Sequence, residues 1–160
     1  MKKAIIIGAT SGLGKELAKL LAKNDYLVGI TGRRTELLNN IEAENPKLYR
    51  IKSFDITEID IIETKLNELT AELGGIDLLI FSSGIGNINT DLDFEIDKKT
   101  IETNVLGFTC VLDWAFNHFK KQQHGHLVVI SSIAVIRRNK NSTSNYTTKS
   151  YQINYLEVLR

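Results

Sequence analysis

The last sixteen residues, NYTTKSYQINYLEVLR, place the phenol of Tyr146 three positions before the ammonium of Lys149. A phenol of pKa about 10 is a poor base at neutral pH, and a cation beside it favours the ionised form by roughly one to three units. Such a pair can move a proton to or from a substrate oxygen. Near the other end stands GATSGLG, Gly8 to Gly14. Glycines at its first, fifth and seventh places let the backbone turn sharply off a strand and approach a pyrophosphate, whose charge then rests on free N–H groups at a helix N-terminus. The run ITGRR ends in Arg33 and Arg34 with no acid among its residues. A guanidinium there suits bidentate phosphate recognition. The alternative is two solvated arginines at a helix start, but positive charge is mildly unfavourable at that end of a helix.

The elements that must position these residues are legible as alternating short β-branched runs and helical periods. Ala4–Ile7, Tyr26–Thr31, Leu48–Ser53, Asp77–Phe81 and His126–Ser131 read as five strands, nearly continuous in hydrophobicity as strands covered on both faces are. Leu13, Leu17 and Leu20 are expected on one helical face, and Ile59, Ile62, Leu66, Leu69 and Leu73 on another. A longer helix is expected through Ile101, Val105, Phe108, Leu112, Ala115 and Phe119. Thr57 is a plausible cap for the third helix. Repeated strand–helix–strand units mean right-handed crossovers and a parallel sheet. The expected fold class is α/β, a doubly wound Rossmann-type parallel sheet with helices on both faces, in one domain over residues 1–160.

Composition narrows the function. Twenty Lys+Arg stand against nineteen Asp+Glu, and no basic stripe follows a nucleic-acid backbone or an anionic membrane. A small-molecule ligand is expected, with neither nucleic acid nor membrane as partner. The apolar run AIII is too short for a signal-peptide core, so a cytoplasmic protein is expected. Cys110 is the only cysteine, which excludes an intrachain disulfide, and it reads as a buried thiol without a role. His124 and His126 form an H-x-H with no neighbouring carboxylate or cysteine in sequence, so no metal site is expected.

The glycine spacing G-x-x-x-G-x-G resembles that of the short-chain dehydrogenase/reductase (SDR) family, and further segments agree. FDIT supplies Asp55 and Ile56 where the family contacts adenine. FSSG retains Gly84 of the motif that closes the fourth strand. TNVLG offers Asn104, and VVISSIA offers Ser131 and Ser132, of which Ser132 aligns better. The resemblance implies a nicotinamide cofactor held by Gly8, Thr10, Ser11, Gly12, Leu13, Gly14, Arg33, Asp55, Ile56, Gly84 and Lys149. Arg33 in place of an acid implies NADP(H) in preference to NAD(H). The implied reaction is hydride transfer between the nicotinamide and a carbonyl or alcohol carbon. Tyr146 would exchange the proton, Lys149 would favour its ionised form and hold the ribose, and Ser132 would hydrogen-bond the substrate oxygen. Asn104 would help hold a water between the lysine and solvent.

The register of the pair departs from the family. There the tyrosine follows the serine by thirteen residues and the lysine by seventeen; here Lys149 follows Ser132 by seventeen, and the tyrosine's place is Asn145. Either the helix starts late, after a longer loop, so that Tyr146 still reaches the substrate oxygen, or Asn145 occupies the acid's position and the protein binds cofactor with little turnover. The first is preferred, because Ser132, Lys149 and Asn104 are all retained. A helix beginning at or before Asn145 would instead rotate Tyr146 by about 100° from the catalytic direction.

Family members continue beyond this point with a sixth strand, a substrate-covering segment and a seventh strand. The chain is therefore expected to be a domain truncated after the helix that carries the Tyr/Lys pair, with strand five as an apolar edge. An alternative to the enzyme is an NADP(H)-binding module without efficient catalysis. The resemblance also implies a homodimer or homotetramer built through the helices Lys98 to Gln122 and Tyr146 to Arg160. Core packing within one chain accounts equally well for Trp114 and Phe116.

Overall fold

The computed structural model describes residues 1–132 and 142–159. Five strands are present: β1 (Lys3–Ile7), β2 (Leu27–Gly32), β3 (Tyr49–Ser53), β4 (Leu78–Phe81) and β5 (His126–Val129). All pair in parallel in the order β3-β2-β1-β4-β5. The helices between them are α1 (Gly12–Lys23), α2 (Thr35–Glu44), α3 (Ile59–Leu73), α4 (Phe94–Ile101), α5 (Phe108–Gln122) and α6 (Thr143–Val158). A π-helical segment, Glu102–Gly107, joins α4 to α5.

Successive strand residues point to opposite faces, and both faces are buried. Ile5, Ile7, Leu79 and Phe81 join Leu66 and Leu69 of α3 and Phe108 and Leu112 of α5 in one core. Ile6, Val28, Ile30 and Ile80 join Ala18 of α1 and Leu38 and Ile41 of α2 in the other. This is the doubly wound parallel sheet expected from the sequence. Its strand order reverses between β1 and β4, which opens a crevice at the carboxyl ends of those strands.

Three local expectations are corrected. The buried face of α1 is Gly14, Ala18 and Ala22, while Leu13 and Leu20 are 64% and 55% exposed. The helix lies so close to the sheet that a Cβ on Gly14 would overlap the Gly8 carbonyl oxygen, and only small side chains fit that face. Thr57 does not cap α3; its N–H and hydroxyl both donate to Asp55 Oδ1, at 3.0 and 2.9 Å, and the N-cap is Glu58. The long helix keeps Phe108, Leu112, Ala115 and Phe119 buried, whereas Ile101 is exposed. The π-segment between them accounts for this, since its wider turns shift the face that follows relative to the face before.

Candidate active site

At the crevice the chain leaves β1 through Gly8, at φ +89°, while Ala9 N–H donates to the Thr31 carbonyl at 2.8 Å. Ser11 is the N-cap of α1, in extended conformation and with no side-chain cap bond. The first N–H groups of the helix therefore face the crevice without a side-chain acceptor. Gly12 has φ +57°, and a Cβ there would meet nothing within 4 Å. Open space over an uncapped helix N-terminus fits a phosphate group. Gly8, Thr10 and Ser11 line this cleft together with Arg33, Asp55, Ile56 and Gly84. Leu13 stands on its neighbouring part, where the nicotinamide end is expected.

The basic end of the cleft involves both arginines. Arg34, which the sequence reading did not assign to the cofactor, donates from one guanidinium nitrogen to Thr10 Oγ1 and Ser11 Oγ, each at 2.7 Å. Arg33 leans on Asp55 at 3.4 Å, with its side chain 65% exposed. Burial alone would raise the Asp55 pKa, but the two Thr57 bonds and the Arg33 charge outweigh it and hold the carboxyl below its ordinary range. The adjacent pair in ITGRR was the available signal. Which of the two reaches the loop hydroxyls depends on the backbone at the end of β2.

The neighbouring part of the cleft is walled by Gly84, Ser131, Ser132, Asn145 and Lys149, among others. Lys149 is buried against Gly84, where a Cβ would come within 2.7 Å of its Nζ. Burial lowers its pKa. Asn104, fully buried in the π-segment, accepts from Ile85 N–H at 2.9 Å and donates to the Ile85 carbonyl at 2.7 Å and to Thr148 Oγ1 at 3.1 Å. It thus ties the segment after β4 to α6. The Asn104 backbone carbonyl accepts from Gln152 Nε2 at 2.8 Å. Gln152 also takes the Lys149 Nζ bond at 2.9 Å. Sequence reasoning missed Gln152, although its place three residues after Lys149 on a helix was the signal for it.

Of the residues expected to exchange the proton or hold the substrate oxygen, Ser132 and Lys149 line this wall. Helix α6 begins at Thr143, so Asn145 lies inside it, four residues and about 40° from Lys149. The Asn145 carboxamide lies against Gly86, where a Cβ would approach it to 2.5 Å. Tyr146, half-buried and the next residue on, is not among the described residues that line the cleft. The late helix start preferred from the sequence is thereby corrected, since α6 begins two residues before Asn145. Ser131 Oγ is buried with no hydrogen-bond partner among the described residues.

Elsewhere, Cys110 is half-buried rather than buried, and burial raises its pKa. No group of three or more His, Cys, Asp or Glu side chains able to hold a metal gathers among the described residues. No described helix is long and apolar enough to cross a membrane.

These features match those of known proteins. An uncharacterized oxidoreductase of Myxococcus xanthus is 30% identical over 99% of the chain and 65% of its own length. Dehydrogenase/reductase SDR family member 7B of Xenopus tropicalis is 31% identical over 92% of the chain and 52% of its own length. The chain thus spans about half to two thirds of the curated relatives it matches. Among solved structures, serine dehydrogenase from Escherichia coli superposes with a TM-score of 0.91 at 25% identity, covering 99% of the chain and 74% of that structure. ElxO with NADP bound superposes with a TM-score of 0.87 at 28% identity, over 97% of the chain and 64% of that structure. The short chain dehydrogenase family model matches residues 2–159. With the glycine loop, the strand order and the buried lysine already in place, that match over nearly every residue establishes that the chain belongs to the short-chain dehydrogenase family.

Proposed function

We propose that the chain is the NADP(H)-binding part of an oxidoreductase acting between a carbonyl and an alcohol. The observation that carries this reading is the uncapped N-terminus of α1, open above Gly12 and bordered by Arg33 and Arg34. When bound, the cofactor supplies or accepts a hydride at nicotinamide C4. The N–H groups at Ser11 to Gly14 bind its pyrophosphate, and Arg33 and Arg34 hold the 2′-phosphate, for which NADP(H) is preferred over NAD(H). Asp55 and Ile56 flank the adenine, and Gly84 admits the cofactor close to β4. Lys149 holds the nicotinamide ribose. Ser132 orients the substrate oxygen, an electrostatic contribution that grows as charge develops there. Asn104 fixes the segment on which these groups meet. A cytoplasmic location and a homodimer or homotetramer remain part of the proposal.

A second reading is favoured by one observation, the carboxamide of Asn145 on the wall where a phenol would deliver the proton. A carboxamide holds its protons through the neutral range, so the chain would bind cofactor and turn substrate over slowly. Titration with NADPH and with NADH, followed by a panel of carbonyls, separates the two. Selective NADPH binding with turnover supports the oxidoreductase; binding without turnover supports the cofactor-binding module. Binding of neither refutes the cleft assignment.

A further inference from the structure

Gln152 is fully buried, one turn beyond Lys149 on α6. Its amide is engaged at both ends, accepting from Lys149 Nζ at 2.9 Å and donating to the Asn104 carbonyl at 2.8 Å. The two neighbours fix its orientation, because an ammonium can only donate and a carbonyl can only accept. Lys149 is a buried cation whose pKa is lowered by burial, with no carboxylate or second cation among the described residues contributing. Gly84 lies against its Nζ, Gln152 accepts from it, and the wall on which it stands also carries Ser131, Ser132 and Asn145. A buried cation without a counter-charge depends on neutral acceptors to stay ionised.

We infer that Gln152 is a positioning residue of the cleft, which holds the Lys149 ammonium at the wall and ties it through the Asn104 carbonyl to the segment after β4. The assignment deepens the cofactor reading of this cleft and rests on it. A carboxamide neither takes up nor releases a proton across the ordinary pH range, so the link from Lys149 to Asn104 is electrostatic and is not a proton path. The charge of Lys149 then follows the acceptor strength of the side chain at position 152, and the cofactor's ribose meets a cation whose place α6 itself has set.

The test is the titration of Lys149 in chain carrying lysine labelled with carbon-13 at Cε, its signal assigned by loss in Lys149→Arg, with NADPH affinity measured alongside. Gln152→Glu sets a carboxylate against the ammonium and should raise the Lys149 midpoint by about one to three units. Gln152→Leu removes the acceptor; it should lower the midpoint and weaken NADPH binding by about tenfold. Should the Leu variant fail to fold, the Glu variant alone decides. A Lys149 midpoint unmoved in folded Gln152→Glu overturns the inference. The parent keeps the two readings apart: shifted midpoints in a chain that binds no NADPH support the Gln152–Lys149 coupling and sink the cofactor assignment. NADPH binding with an unmoved midpoint does the reverse.

Discussion

Asn145→Tyr should place a phenol on the cleft wall, where none stands among the described residues. Asn145 and Lys149 stand four residues apart within α6, about 40° around the helix, whereas Tyr146 is turned about 100° away from the Asn145 direction. A phenol at position 145 would therefore lie on the face that carries the buried ammonium, in the part of the cleft that Ser132 also lines. The cation would favour its ionised form by roughly one to three units. General acid–base catalysis by a placed side chain contributes about 10²- to 10⁴-fold, equivalent to about 3–5 kcal/mol of barrier. The present carboxamide already packs closely against Gly86, so a larger ring must displace the segment after β4 and the lower end of that range is expected. The assay is NADPH oxidation on a carbonyl panel by the parent, Asn145→Tyr, Tyr146→Phe and the double variant Asn145→Tyr/Lys149→Met. The expected pattern is a gain in Asn145→Tyr, no change in Tyr146→Phe, and loss of the gain in the double variant. An Asn145→Tyr chain that binds NADPH like its parent and gains nothing, or a parent activity abolished by Tyr146→Phe, would refute the helix register on which the reasoning rests.

Three more expectations follow from the same cleft. Arg33→Asp and Arg34→Met should each weaken NADPH far more than NADH, and equal losses for both cofactors in equilibrium titrations would remove the arginines from phosphate recognition. Gly14→Ala places a methyl on the Gly8 carbonyl; it should destabilise the chain by about 1–3 kcal/mol in urea unfolding and abolish NADPH binding, since α1 must move off β1 to relieve the overlap. Lys149 is held below its ordinary pKa by burial, so between its native midpoint and the unfolded value of about 10.4 the unfolded chain binds more protons and stability rises with pH. Below both midpoints the penalty is at its full value. Lys149→Met should lose that rise, read as the pH dependence of the difference in urea midpoints.

The sheet was legible because its strands are buried on both faces, and a continuous apolar run bounded by turn residues has few other readings. Four of the five strands begin one residue away from the expected start, and β5 ends at Val129, two residues before the expected Ser131. The glycine loop was legible because few residues other than glycine tolerate its backbone and its closeness to the sheet. The helix faces were less so. Leucine periodicity marked Leu13 and Leu20 on α1, yet the sheet receives Gly14 and Ala18, because contact distance and not apolarity selected the face. A π-segment leaves no mark on a period count, so the burial of Ile101 was misjudged from a pattern that is sound after Phe108.

The position of the tyrosine was the hardest to read, for a physical reason. Ser142, Thr143, Ser144 and Asn145 are all residue types that cap helices well, so the local sequence offers several starting points for α6, and only an early start puts Asn145 inside the helix. Tertiary contacts decide. Ser142 Oγ donates to the Asn87 carbonyl at 2.9 Å, the Asn145 carboxamide rests on Gly86, and Asn104 grips both backbone groups of Ile85. Ile85, Gly86 and Asn87 are consecutive, so one short segment after β4 fixes the first turn of α6, the face that position 145 presents and, through Asn104 and Gln152, the place of Lys149. A change in that segment should therefore act on the start of α6 and on the lysine together. Gly86→Ala, whose methyl would press on the Asn145 carboxamide, should disturb the α6 amide resonances around position 145 and the Lys149 titration in the same variant. A Lys149 midpoint that stays put while those resonances move would show that Asn104 and Gln152 hold the lysine independently of the helix start.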